Sequence, residues 1–132
     1  MTDVHFLLTS VALAWIMIMT AAELHTPTWT RAGAKHAFGN REALPERSAL
    51  AGRADRAAKN MIENLVLFVA LFVAARAANV DVTLGAAVFF FARLAYFVVY
   101  LVGVPYLRSA LWGLSLLAMA QIGLAAAGLL AP

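Results

Sequence analysis

The chain has 132 residues, 64% of them hydrophobic and 13% charged, with no cysteine and a formal net charge of +3. A soluble domain carries roughly twice that share of charge, so a globule with a fully hydrated surface is excluded. Without cysteine there is no disulfide and no thiolate-ligated metal, and a modest positive charge beside apolar segments is the ordinary rim of a membrane protein, with no call for a nucleic-acid partner.

Taken in chain order, the first apolar segment covers about Val4–Ala22. Its leader, Met1-Thr2-Asp3, lacks the positive charge of a secretory signal, and the basic residues follow the segment instead. The expectation is a retained helix with its N-terminus outside. A long connection, about residues 23–59, comes next, punctuated by Pro27, Gly33, Gly39, Pro45 and Gly52. Ser48 is positioned to cap a second helix running from about Ala49 to Ala78, whose membrane portion is about Asn60–Ala78. Asn79–Thr83 then turns the chain into a third span, about Leu84–Val102, and Gly103–Arg108 into a fourth, about Ser109–Leu130. Each segment is long enough to cross a hydrocarbon core of about 30 Å. Leu65–Ala75 and Leu84–Ala92 are apolar all round, which a soluble bundle helix is not. The fold expected is all-α, an integral membrane four-helix bundle filling residues 1–132 as one domain, since spanning backbone must satisfy its own hydrogen bonds.

Lysine and arginine set the orientation. The first connection and the start of the second helix hold Arg31, Lys35, Arg41, Arg47, Arg53, Arg56 and Lys59, and Arg108 lies on the same side. Only Arg76 lies opposite. The basic side is therefore expected in the cytoplasm, with both termini across the membrane. His5, His25 and His36 share neither a helical spacing nor an acidic partner motif, so they read as interfacial or loop histidines and no metal is expected.

Three clusters carry chemistry. Arg53, Arg56, Asn60, Glu63 and Asn64 fall on one arc of a helix at about 100° per residue. Cations, amides and a carboxylate thus gather at the mouth of a span, where each charge costs up to about 2.5–3.5 kcal/mol. That set suits a small zwitterion with several charges. Arg93, Tyr96 and Tyr100 share one face of the third span. Arg93 sits near mid-span and must face protein or water, with Glu63 or backbone carbonyls as its expected partners, and the tyrosines double as candidates for an aromatic belt. Arg108-Ser109 opens the fourth span after Pro105, at the same membrane level as the other two clusters. Such convergence distinguishes a site from scattered anchors.

The stretch Gly52-Arg53-Ala54-Asp55-Arg56-Ala57-Ala58-Lys59-Asn60-Met61-Ile62-Glu63-Asn64-Leu65, with Phe91-Ala92-Arg93-Leu94 followed by Tyr96 and Tyr100, and Pro105-x-x-Arg108-Ser109, resembles the membrane-associated proteins in eicosanoid and glutathione metabolism (MAPEG), in their bacterial form. The resemblance covers nearly the whole chain. It implies a homotrimer that binds glutathione between subunits near the cytoplasmic face. On that pattern Arg56, Asn60 and Glu63 hold the glutathione backbone, Tyr96 and Tyr100 add hydroxyl contacts, Arg53 is a rim contact, and Arg108 with Ser109 lies beside the sulfur. The implied activity is a glutathione transferase or peroxidase acting on a lipophilic electrophile. Trp112 departs from the pattern, standing where some relatives carry a tyrosine, and the assisting basic residue of the loop is open between Arg31, Lys35 and Arg41. Two other readings stand beside this one. The first is a non-catalytic lipid-binding or lipid-presenting protein of the same fold. The second is a small transporter using Arg93 and Glu63, which broken helices would favour and which no mid-span proline supports.

Overall fold

A computed structural model describes residues 1–130; the last two residues of the expected domain lie outside the described residues. The described residues form five helices and no strand: α1 (Asp3–His25), α2 (Arg31–Phe38), α3 (Ala49–Ala77), α4 (Thr83–Val102) and α5 (Pro105–Ala126). All but α2 are long and apolar enough to cross a membrane.

The ends of the helices follow from local chemistry. Ser48 Oγ accepts the Ala51 N–H at 3.1 Å and starts α3 where expected. Pro105 occupies the first turn of α5, where its missing N–H costs nothing. Gly103, at φ +90°, closes α4 in the left-handed conformation that glycine tolerates, and its N–H bonds the Val99 carbonyl at 2.9 Å. Asp81 accepts the Thr83 hydroxyl at 2.6 Å and the Thr83 N–H at 2.9 Å at the start of α4. These bonds favour the ionised form and hold its carboxyl below the usual carboxylate range.

Three boundaries differ from expectation. The first helix runs on to His25, whose Nε2 donates to the Pro45 carbonyl at 2.8 Å and ties the returning chain to the helix end. The fourth begins at Pro105 and ends at Ala126, short of Leu130, in a turn containing Gly128 at φ +71°. The connection also contains α2, an eight-residue helix capped by Thr30, whose Oγ1 accepts the Gly33 N–H at 3.0 Å. Gly33 is required there, because a β-carbon would collide with the Pro27 carbonyl.

In the bundle α1 packs on α3 and α4, and α5 packs on α4 and α3. The centre is aromatic and aliphatic: Phe68 and Phe89 stack at 4.1 Å, with Met17, Met61 and Ile122 fully buried around them. At the end away from the long connection α4 and α5 approach so closely that a β-carbon on Gly85 would lie 2.6 Å from Ile122 Cγ1. The outer surface is apolar, with Val66, Leu117, Val73 and Val98 each more than half exposed, which water would penalise and lipid does not. At the far end Arg76 pairs with the buried Asp3 at 3.3 Å, joining α3 to α1.

Candidate functional site

Arg93, the arginine near mid-span of α4, is fully buried. Its Nη2 donates to Asn60 Oδ1 at 2.8 Å, its Nε to Met61 Sδ at 3.4 Å, and its guanidinium lies 4.3 Å from the centre of the Tyr96 ring. The expected pairing with Glu63 or with backbone carbonyls is not what forms. Glu63, nearly one turn along α3 from Asn60, is exposed. The sulfur was not foreseen; a thioether is a weak acceptor, and the sequence signal for it is only that Met61 follows Asn60 on the inward side of the helix.

Next to this pair, α3, α4 and α5 enclose a cleft of about 230 Å³ lined by Asn60, Tyr96, Tyr100, Arg108, Ser109 and Trp112. Tyr96 and Tyr100 meet edge to face with centroids 5.4 Å apart. The Arg108 guanidinium sits 4.8 Å from the Tyr100 ring centre, so the α5 cation is held over an α4 aromatic face. Ser109 Oγ donates to the Pro105 carbonyl at 3.1 Å, leaving its oxygen lone pairs as acceptors. Arg56, exposed at the rim, donates from Nε to Tyr100 Oη at 3.3 Å and bridges α3 to α4. Five of the eight expected site residues therefore line one cleft, and Arg56 stands at its edge.

The other two expected residues lie elsewhere. Arg53 Nε donates to the Leu101 carbonyl at 3.0 Å, one of the carbonyls left unpaired at the end of α4. Its task in this structure is to cap a helix. Glu63 does not line the cleft and has no ion-pair partner among the described residues. Asn64 is buried, donating from Nδ2 to the Asn60 carbonyl at 2.8 Å and toward Asn60 Oδ1 at 3.4 Å.

Of the three loop candidates, Arg41 alone lines a second cleft at the α1–α3 seam, about 260 Å³, together with His25, Arg47, Asp55 and Lys59. Asp55 is held there by Lys59 at 2.8 Å and Arg47 at 3.7 Å. Among the described residues no group of His, Asp and Glu side chains could hold a metal ion.

The MAPEG family model matches residues 4–128, nearly the whole chain. This protein belongs to the MAPEG family. As a MAPEG protein with four apolar helices it is an integral membrane protein, and its cleft lies where α3, α4 and α5 converge. No curated protein and no solved structure matches the chain.

Proposed function

We propose that this MAPEG protein is a membrane-bound glutathione-dependent transferase or peroxidase for lipophilic electrophiles. The observation that carries the reading is the polar cleft itself. Three helices place an amide, two phenols, a guanidinium and a hydroxyl around about 230 Å³ within an otherwise apolar bundle. Polar groups at membrane depth are expensive, and their convergence favours a polar ligand there.

In this reading Arg56, Asn60, Tyr96 and Tyr100 hold the glutathione backbone, Arg56 offering a carboxylate a two-donor fork. Arg108 faces the sulfur, with Ser109 as a hydroxyl beside it. A free thiol, with a pKa near ~8.5, is mostly protonated at neutral pH, and a fixed guanidinium favours the thiolate. The thiol proton passes to water. The sulfur then forms a bond to an electrophilic carbon, whose leaving group departs with the bonding electrons. With a hydroperoxide the sulfur instead takes the distal oxygen and releases the alcohol, and a second glutathione converts the sulfenic acid to the disulfide.

Glu63 supports an assembly of several copies. A carboxylate on a helix face shared with the exposed Ile62, Val66 and Leu67 is costly against lipid, and a neighbouring subunit would cover it. We take the assembly to be the homotrimer of the family, with Glu63 reaching glutathione from across the interface and Arg53 remaining a helix cap at the rim. The eight cations Arg31, Lys35, Arg41, Arg47, Arg53, Arg56, Lys59 and Arg108 support a reading in which this end faces the cytoplasm of a bacterial inner membrane and both termini lie outside.

The lipid-presenting alternative draws on Trp112, which puts an indole rather than a phenol in the cleft wall. Proteoliposome assays separate the two. Glutathione conjugation of a lipophilic aryl halide, or reduction of a lipid hydroperoxide, above the uncatalysed rate supports the enzyme. Lipid binding with no turnover of either substrate class overturns it.

A further inference from the structure

Arg93 does not line the cleft, yet its arrangement fixes what the cleft presents. A guanidinium has only donors, so the Asn60 atom it meets at 2.8 Å is the amide oxygen. Asn64 Nδ2 approaches the same oxygen at 3.4 Å from one turn along α3. Two donors thus converge on Asn60 Oδ1. Its Nδ2 makes no hydrogen bond with any described residue, and the half-buried Asn60 side chain is part of the cleft wall. Arg93 is itself locked on three sides, by Asn60, by Met61 Sδ and by the face of Tyr96. It keeps one buried nitrogen, Nη1, without a partner. Stability alone gives no reason to retain such a group, since an apolar side chain of similar volume would remove the unpaired donor.

We infer that Arg93 is a positioning residue: it turns the Asn60 carboxamide so that the N–H₂ group faces the cleft, and this wall of the site selects a hydrogen-bond acceptor on the ligand. With glutathione that acceptor is a carboxylate or peptide carbonyl oxygen, so the inference rests on the glutathione reading above. Without Arg93 the amide can rotate and present its oxygen, which repels the same acceptor. Arg93 acts through Asn60 and does not touch the ligand.

The test is a double-mutant cycle in glutathione affinity, measured by calorimetry on the intact detergent-solubilised oligomer. N60A raises Kd about 10- to 100-fold, the loss of one bond to a charged or strongly polar acceptor. R93M raises it about tenfold, and N60A/R93M stays within about threefold of N60A alone. N60D keeps an oxygen toward Arg93 and Asn64 but puts a second oxygen in the cleft. It assembles as wild type does and loses glutathione binding. Losses from N60A and R93M that multiply in the double variant overturn the inference, as does wild-type affinity in N60D. Where R93M does not assemble, R93K serves in its place: it keeps a cationic donor and recovers affinity to within about threefold of wild type, and loss beyond that overturns the inference. Wild-type protein that assembles but binds no glutathione withdraws the glutathione reading and this inference with it, whereas binding without coupling withdraws the inference alone.

Discussion

Replacing Arg108 by alanine tests the thiolate step. Two unit charges about 4 Å apart attract by about 4 kcal/mol at an effective dielectric of about 20. Arg108 is half-buried, and solvent screening reduces this to about 2–3 kcal/mol, or about two pKa units on the bound thiol. A thiol with pKa near ~8.5 is about 3% ionised at pH 7, and one near ~6.5 about three-quarters ionised. Arg108→Ala therefore lowers the bound thiolate population at pH 7 by about 25-fold, while linkage costs glutathione affinity only about fourfold. The sign is fixed by the lowered pKa. The arginine's fold-advantage in thiolate population is largest below about pH 6.5 and vanishes above about pH 8.5, where both proteins hold thiolate, while its advantage in affinity runs the other way and is complete only above about pH 8.5. The low-pKa thiolate is the weaker nucleophile, by about tenfold over two units, so the midpoint of the pH profile reports the effect better than a single rate. The assay is the ultraviolet absorbance of bound thiolate against pH, with turnover measured over the same range. Both midpoints are expected to rise by about two units in the variant. An unchanged midpoint, or a wild-type midpoint already near that of free thiol, refutes the role of Arg108.

Other substitutions separate site from scaffold. Tyr100→Phe removes the hydroxyl that Arg56 reaches at 3.3 Å and should weaken glutathione binding by about 3- to 10-fold in calorimetry, one neutral hydrogen bond's worth. Arg53→Met unpairs the Leu101 carbonyl and should cost about 0.5–1.5 kcal/mol in detergent unfolding, with glutathione affinity of the folded protein within about twofold of wild type. Gly85→Val pushes methyl groups against Ile122 and Gln121 at the α4–α5 contact. The expected cost is about 1–3 kcal/mol in thermal unfolding, with the remote cleft of the surviving protein still competent.

Much of the architecture was legible because lipid makes the pattern coarse: runs of apolar residues near 20 long read as membrane spans, and Ser48 and Gly103 mark helix ends by chemistry that needs no tertiary context, whereas the start of α5 at Pro105 came ahead of the expected Ser109. Helix α2 was not legible. It is short and polar, and it depends on the Thr30 cap and on Gly33 fitting under Pro27. The convergence of Asn60, Tyr96, Tyr100, Arg108 and Ser109 followed from helical spacing and shared membrane depth. Which neighbour each residue meets did not follow, because an arc of about a third of a turn can face two different helices. Thus Arg53 turns to the end of α4, Asn60 to Arg93, and Glu63 outward. Charge logic alone favoured a carboxylate for Arg93, but the register of α4 against α3 sets an amide and a thioether in its way.

Calorimetric titration of glutathione into the folded, detergent-purified protein, wild type beside Arg56→Ala and Glu63→Ala, bears most directly on the central claim. Saturable binding by wild type that is lost in both variants is the predicted result, and it places the ligand between the Arg56 rim and the face of a neighbouring copy. No binding by wild-type protein that elutes as a single folded species contradicts the account and moves the lipid-presenting reading to first place.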